Sequence, residues 1–285
     1  MRNGFISING QIQESSIPVL TAFDASFLYG FGVFETFRIY NGVPFMLQEH
    51  LDRMKGAAAK LKIPFENNCV KIKTYIQELI DYAQLKECVL RITLSKASEN
   101  SSNIVLTYRS VNYQQSSYNK GFTLKCSSVK RNPTAPLVYL KTNNYMENLI
   151  EKNLAMSEGF NEALFINIYN HLSECSTSNI FFVQGKKLCT PAVECGLLDG
   201  IAKGLLTDKL AAAIGLEMEI GKYSLGDLYN ADEVFITNSV MQIMPIVKID
   251  NNKVGNGIPG PITKSLMVAY DTYIEEYVSV EKGKF

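Results

Sequence analysis

The chain has 285 residues, of which 46% are hydrophobic and 20% are charged. This length exceeds one small domain, and the composition is that of a globular protein rather than of a disordered chain. Lysine plus arginine total 28 and aspartate plus glutamate also total 28, so the chain lacks the basic excess that nucleic-acid-binding proteins usually carry.

The first part of the chain predicts a mixed sheet with helices. Asn41-Gly42 stands between two apolar runs, 33–40 and 43–47, and such a pair is the strongest short hairpin signal. The predicted strands are residues 33–40, 88–95 and 103–109. Apolar residues at helical spacing predict two helices, 49–61 and 70–83.

The polar stretch 112–121 has little apolar periodicity and is predicted to be an interdomain linker. The domains are therefore predicted to be residues 1–111 and 122–285. The predicted strands of the second domain are residues 122–129, 162–168, 180–183 and 234–237. Its predicted helices are residues 145–159, residues 201–214 and a last helix that begins near Pro261.

Several kinds of site are not expected. The six cysteines and two histidines contain no C-x-x-C pair, so no metal site is predicted. The sequence shows no apolar signal core and no run of about 18 apolar residues, which predicts a cytoplasmic protein with no membrane partner. No Walker or Rossmann motif is present and no Ser/His/Asp triad is indicated.

Two residues could carry chemistry on their own. Lys141 follows the apolar run 137–140, where loss of hydration would lower the pKa of its amine and make it nucleophilic. The alternative is an exposed lysine at the end of a strand. Glu174 stands beside small polar residues before an apolar strand. It could be a plain loop acid, or it could pair with a cationic ligand atom.

Three sets of segments, in this order along the chain, resemble fold type IV pyridoxal-phosphate enzymes, which are also called class IV aminotransferases. They are residues 32–38 with 49–53, Lys141 with 144–148, and 174–182 with 190–191, 200–201 and 231–239. Their ordered set is specific and covers nearly the whole chain. The resemblance implies an α+β fold with a smaller α/β N-terminal domain and a larger, β-barrel-like C-terminal domain. It also implies pyridoxal 5′-phosphate as cofactor and a homodimer.

The resemblance assigns roles to single residues. Lys141 would form the Schiff base to the cofactor and later move protons at the substrate carbon. Glu174 would pair with the pyridinium nitrogen and keep it protonated, so that the ring accepts electrons. Tyr145 would contact the ring hydroxyl. The residues that would bind the cofactor phosphate are Arg53, Ile201, Ala202, Ser239 and Val240.

The phosphate residues have structural alternatives. Arg53 could form surface ion pairs with Glu49 or Asp52, and Ser239 could cap a helix. The family's common G-I-T-R is Gly-Ile-Ala-Lys at 200–203 here. Backbone N–H contacts survive this change, but the contact of a threonine hydroxyl would be lost.

The pocket residues indicate the reaction. Thr36 replaces a glycine that is typical of branched-chain aminotransferases, and its hydroxyl would assist proton transfer, as a threonine near this place is thought to do in 4-amino-4-deoxychorismate lyases. Residues 131–133 and 242–245 also resemble the lyases. We therefore expect aminodeoxychorismate to be converted to 4-aminobenzoate and pyruvate in folate synthesis. The alternatives are a branched-chain or D-amino-acid aminotransferase, with an amino acid as the small-molecule substrate, and a non-catalytic dimeric scaffold. Arg38 and Arg91 are candidate ligands of the substrate carboxylate.

Overall fold

The computed structural model describes residues 4–17, 21–65 and 68–283, and the chain divides into two compact units. Unit 1 consists of Met1–Asn112, Leu140–Asn144 and Ile274–Phe285, and unit 2 of Tyr113–Tyr139 and Tyr145–Tyr273. Residues 140–144 thus belong with the N-terminal part of the chain. The domain limits predicted from the sequence stay a prediction.

Unit 1 is built on an antiparallel sheet. Its strands in the described residues are β1 (Phe5–Ile8), β2 (Gln11–Glu14), β3 (Gly32–Tyr40), β4 (Val43–Pro44), β5 (Cys88–Lys96) and β6 (Ser102–Arg109). They pair in the order β2-β1-β6-β5-β3-β4. The helices are α1 (Ala25–Tyr29), α2 (Leu47–Lys60) and α3 (Asn68–Ala83). The three strands and two helices predicted for this part are confirmed, and their ends agree with the predicted ends within two residues.

The hairpin predicted at Asn41-Gly42 joins β3 to β4. Asn41 has φ 50° and Gly42 has φ 83°, and positive φ at both central residues matches the twist of the flanking strands. Tyr40 pairs with Val43 across this turn. The hairpin prediction is confirmed.

The core of unit 1 lies between the sheet and its two longer helices. Alternate residues of β3 face this core, so Phe37 and Ile39 are fully buried. Ile72 and Ile76 of α3 are 0% exposed, as their helical spacing predicts. Burial of each such side chain contributes roughly 1.5–3 kcal/mol, which fixes α2 and α3 on the sheet.

Unit 2 contains the larger sheet, which has parallel and antiparallel pairs. Its described strands are β7 (Phe122–Arg131), β8 (Glu162–Asn167), β9 (Leu172–Cys175), β10 (Asn179–Gln184), β11 (Lys187–Pro191), β12 (Glu217–Gly221), β13 (Glu233–Asn238), β14 (Gln242–Ile249) and β15 (Asn252–Lys253). The order is β12-β11-β10-β13-β14-β7-β8-β9, and β15 pairs with β14. The strands predicted in this part are all present.

The helices of unit 2 are mostly short. They are α4 (Gln115–Lys120), α5 (Met146–Ser157), α6 (Ile201–Leu205), α7 (Ala211–Ala213), α8 (Leu225–Tyr229) and α9 (Pro261–Glu281), whose last residues from Ile274 belong to unit 1. A π-helical turn, Leu206–Leu210, joins α6 to α7. None of the helices in the described ranges combines the length and the apolar character that spanning a bilayer requires.

Three local features of the structure were not predicted from the sequence. The polar stretch predicted as a linker contains α4, which the sequence did not indicate because a six-residue helix is too short to show an apolar period. The apolar run before Lys141, which only the alternative interpretation treated as a strand, forms a 3₁₀ turn, Pro136–Tyr139. The predicted helix 201–214 exists, but the π turn interrupts it.

Candidate active site

The backbone of Lys141 runs along the edge of the unit 1 sheet. The N–H of Phe34 donates to the carbonyl of Lys141 at 2.9 Å, and the N–H of Asn143 donates to Gly32 at 2.9 Å. Between them, Val33 and Thr142 form an antiparallel bridge. Lys141 is therefore held beside β3 and is partly buried, which is not the exposed strand end of the alternative interpretation.

The amine of Lys141 lies over an aromatic ring that a second cation also contacts. Its Nζ is 4.5 Å from the centroid of Phe34, and the guanidinium carbon of Arg91 is 3.7 Å from the same centroid. Arg91 is further held by Thr93, at 3.1 Å from Nε, and by Asn143, at 3.3 Å from Nη2. Two cations at one ring make this place suitable for an anionic ligand group.

Thr36 shares this face of the sheet. It lies directly opposite Arg91 in the register of β3 and β5, and opposed residues project from the same face. Phe34, two residues before Thr36, projects from that face as well. The structure thus brings the predicted residues Lys141 and Thr36 to one face, together with Arg91.

Arg53 on α2 pairs with a buried acid on β3. Its Nε donates to Oε1 of Glu35 at 2.8 Å, and its Nη2 donates to Oε2 at 2.7 Å. His50 also contacts Oε2, with Nδ1 at 2.6 Å. Glu35 and His50 each expose 1% of their side chains. We define these three residues as the Glu35 triad.

The charges of the Glu35 triad follow from its burial. Burial alone would raise the pKa of Glu35, but Arg53 and His50 outweigh burial and lower this pKa to about 2. Burial lowers the pKa of His50 below its usual value, and the charge of Lys141 acts in the same direction. The lowered pKa keeps His50 neutral at ordinary pH. Because an ionised carboxylate only accepts hydrogen bonds, Nδ1 carries the ring proton and donates it to Glu35.

Sequence reasoning missed the Glu35 triad, although a signal was present. Glu35 occupies a core-facing position between Val33 and Phe37 in an otherwise apolar alternation. A charged group at such a position needs a buried partner. His50 and Arg53 stand three residues apart on α2, so their side chains can reach one acid.

Glu174 lies in the buried strand β9 of unit 2. Its side chain is 9% exposed, and its Oε2 accepts the N–H of Leu198 at 3.1 Å. The carbonyl of Leu198 accepts from Nδ2 of Asn179 at 2.8 Å. Glu174 is thus a buried carboxylate with a fixed orientation and not a plain loop acid.

Side chains of neighbouring elements form hydrogen bonds with the turn after Glu174. The carbonyl of Ser176 accepts from the Tyr145 hydroxyl at 2.8 Å and from Nδ2 of Asn148 at 2.6 Å. The buried Glu162 accepts from Thr177 at 2.6 Å and also from the Ser176 hydroxyl. Burial, and then Glu174 and Glu162, raise the pKa of Tyr145. Tyr145 is therefore a neutral hydroxyl that donates to the turn after Glu174.

The first predicted phosphate turn has a close approach that only glycine allows. A Cβ on Gly200 would lie 2.0 Å from Oδ1 of Asn179. Ile201 and Ala202 follow as the first residues of α6, where N–H groups have no partner within the helix. Lys203 is 5% exposed and pairs with Asp199 at 2.9 Å across the turn.

The second predicted phosphate turn joins β13 to β14. Ser239 is partly exposed there. The N–H of Val240 donates to Oδ1 of Asn238 at 2.9 Å, and the N–H of Met241 donates to the same oxygen at 2.7 Å. A phosphate bound by the N–H of Val240 would have to replace or share this contact.

The predicted site residues thus fall into two sets. Lys141, Thr36 and Arg53 belong to unit 1, and the others belong to unit 2, namely Glu174, Tyr145, Ile201, Ala202, Ser239 and Val240. Glu35, His50 and Glu162 are the buried polar residues next to these sets that the sequence did not single out. Within the described residues, no group of three histidine, cysteine or acidic side chains is arranged to bind a metal ion.

The chain is similar to a family described as amino-transferase class IV, whose model matches residues 32–249. Aminodeoxychorismate lyase of Bacillus subtilis is 31% identical over 296 residues, which cover 98% of this chain and 98% of that protein. A probable branched-chain-amino-acid aminotransferase of Aquifex aeolicus is 28% identical over 277 residues, covering 91% and 88% of the two chains.

Solved structures show the same likeness. The branched-chain amino acid aminotransferase of Escherichia coli superposes with a TM-score of 0.89 at 24% identity, covering 95% of this chain and 94% of that one. This likeness concerns the fold alone. A putative 4-amino-4-deoxychorismate lyase from Legionella pneumophila superposes with a TM-score of 0.81 at 26% identity, covering 90% and 96%.

Proposed function

We propose that this chain, which belongs to the amino-transferase class IV family, is a 4-amino-4-deoxychorismate lyase that forms 4-aminobenzoate and pyruvate. The predicted family, its fold type, an enzyme rather than a scaffold, and pyridoxal phosphate as cofactor are confirmed. The choice of the lyase is supported by the Bacillus subtilis relative, which matches over 98% of both chains, and by Thr36.

The residues present fit the cofactor. Lys141 offers a partly buried primary amine, and Glu174 offers a buried carboxylate that a backbone N–H orients. Gly200 leaves no side chain at the start of α6, so the N–H groups of that turn can approach a phosphate closely. When bound, the cofactor supplies a ring that accepts electrons from the substrate carbon.

Each residue has a separate task in this proposal. Lys141 would hold the cofactor covalently and, once the substrate amine has displaced it, its amine would take the proton from the substrate ring carbon. The ring would then become aromatic as the enolpyruvyl group leaves, and that group would take up a proton to become pyruvate. Glu174 would pair with the ring nitrogen of the cofactor and favour its protonated form, so that the cofactor ring accepts electrons. The Thr36 hydroxyl assists the proton transfer, because it shares a sheet face with the ring over which the Lys141 amine lies.

Arg91 is the better of the two candidate ligands for a substrate carboxylate. Its guanidinium is held by Phe34, Thr93 and Asn143 near the Lys141 amine. Arg38 instead lies over the ring of Tyr40 and pairs with Glu87 at 3.7 Å. Aminodeoxychorismate carries carboxylates, and Arg91 can bind one of them while Lys141 serves the cofactor.

The decisive experiment offers the holoenzyme aminodeoxychorismate with no keto acid present. We expect 4-aminobenzoate and pyruvate in equal amounts, because elimination leaves the cofactor unchanged. The proposal would be contradicted if no 4-aminobenzoate formed and if amino acids such as leucine or D-alanine converted the bound cofactor to its amine form. That result would identify an aminotransferase.

The variant Lys141→Ala tests the proposed lysine. We expect at least a 10²-fold loss of 4-aminobenzoate formation, because both the covalent link and the proton carrier are removed. The absorption band of the lysine-bound cofactor should also disappear. Lys60→Ala, at an exposed position of α2, is the matched control. An active Lys141→Ala enzyme with an unchanged spectrum would refute the assignment.

A homodimer is part of this proposal, and a cytoplasmic location stays a prediction. Several apolar side chains of α5 are exposed, among them Met146 74%, Leu149 49% and Leu154 52%. Exposed apolar side chains grouped on one helix are typical of a surface that another subunit covers.

A further inference from the structure

The Glu35 triad joins the sheet of unit 1 to α2 through one carboxylate. Both oxygens of Glu35 are used by Arg53, whose Nε and Nη2 form two parallel hydrogen bonds of 2.8 and 2.7 Å. This bidentate arrangement fixes the plane of a guanidinium as well as its position.

The carboxylate of Glu35 is also held by a second side chain, that of His50. His50 donates to Oε2 at 2.6 Å, and its ring packs against Phe37 with centroids 5.2 Å apart. The low pKa of Glu35, about 2, keeps the carboxylate ionised at ordinary pH. The acceptor that orients Arg53 is therefore permanent, charged and 1% exposed.

We propose that Glu35 is a positioning residue for the cofactor phosphate, acting through the guanidinium of Arg53 and itself held by His50. This inference rests on the phosphate-binding role proposed for Arg53. A free arginine side chain has many rotamers, and ordering it on binding costs free energy. Glu35 removes this cost in advance, because it presents the guanidinium in one orientation before the phosphate arrives.

Glu35 also has an opposing effect on the affinity for phosphate, so the direction in which this affinity changes on mutation is informative. Its negative charge partly cancels the charge of Arg53, and this alone would weaken phosphate binding. Without Glu35, however, Arg53 would be released to pair with the acids of its own helix, Glu49 and Asp52. We therefore expect loss of orientation to outweigh the gain in net positive charge.

The test compares two probes, pyridoxal 5′-phosphate and pyridoxal, which lacks the phosphate. We expect Glu35→Gln to weaken the affinity for pyridoxal phosphate about tenfold, the lower end of the effect of removing a residue that orients a ligand-binding side chain. The affinity for pyridoxal should stay unchanged. Glu49→Gln, an exposed acid on α2, is the matched control and should change neither affinity.

Several outcomes would overturn the inference. One is that Glu35→Gln binds pyridoxal phosphate as tightly as the wild type or more tightly. Another is that Glu35→Gln loses affinity equally for pyridoxal phosphate and for pyridoxal. Arg53→Ala must show the same selective loss, and adding Glu35→Gln to Arg53→Ala must cause no further loss. If Glu35→Gln does not fold, Glu35→Asp replaces it, since the shorter side chain keeps the charge but misplaces the oxygens. These measurements involve no substrate, so they fail independently of the lyase assay.

Discussion

At the scale of single residues, the environment distinguishes buried, hydrogen-bonded acids and cations from exposed ones. Glu35 and Glu174 are both acidic residues that lie on strands, and both are buried and hydrogen-bonded. Arg53 is predicted to bind phosphate, with surface ion pairs as the alternative, and the structure gives it a buried partner, Glu35. The sequence marks Glu35 as an acid at a core-facing position, but its pairing with Arg53, 18 residues away, is set by the packing of α2 on the sheet.

The pH dependence of stability should show the contribution of Glu35. Folding lowers the pKa of this carboxyl from 4.5 to about 2, so the unfolded chain binds its proton more readily. The resulting stabilisation is fully present above pH 4.5 and is lost as the pH falls towards 2. We expect the free energy of unfolding, measured with urea, to fall more steeply over this range in the wild type than in Glu35→Gln. Parallel curves for the two proteins would contradict this expectation.

At the scale of elements, periodicity predicted the longer segments and failed for short ones. Helices α2 and α3 and strand β3 carry enough turns or alternations for the pattern to be clear. The short β9, a four-residue strand, is fully buried and so shows no alternation. It carries Glu174, so the sequence identified this residue from the family resemblance and not from its strand.

The turn before α6 offers a test at this scale. In Gly200→Ala the new Cβ would lie 2.0 Å from Oδ1 of Asn179, so the turn must shift and the contact of Asn179 with Leu198 is disturbed. We expect a loss of roughly 1–3 kcal/mol in stability and weaker binding of pyridoxal phosphate.

The control for this variant is Gly56→Ala. Gly56 lies within α2 and a Cβ there meets nothing within 4 Å. This change should stabilise the protein by up to about 1 kcal/mol, because alanine favours a helix. Thermal unfolding and cofactor titration measure both effects. A Gly200→Ala protein as stable as the wild type would show that the close approach does not matter.

At the scale of the whole molecule, the chain has two units, each with its own sheet and buried core. Unit 1 gathers residues from three separate parts of the sequence. Residues 140–144, which include Lys141, belong to it and pair with β3.

The proposed homodimer gives the prediction at this scale. We expect the wild type to have the mass of two chains, and Leu149→Glu to shift this mass towards one chain, because a charge is placed among the exposed apolar side chains of α5. Val268→Glu is the control, since Val268 is exposed by 66% on α9. Light scattering after size-exclusion chromatography measures the mass. A wild-type protein with the mass of one chain would refute the dimer.

The sequence by itself determined the family, the fold type and the cofactor, because ordered motifs over most of the chain specify them jointly. It also determined the hairpin at Asn41-Gly42 and the longer helices, because turn chemistry and periodicity are local properties. Only the tertiary structure decided that Arg53 pairs with Glu35, that Arg91 shares an aromatic ring with Lys141, and that Asn238 engages the N–H of Val240. The physical reason is that hydrogen bonds and burial depend on distances between residues far apart in the chain, and these distances are set when the sheets and helices pack.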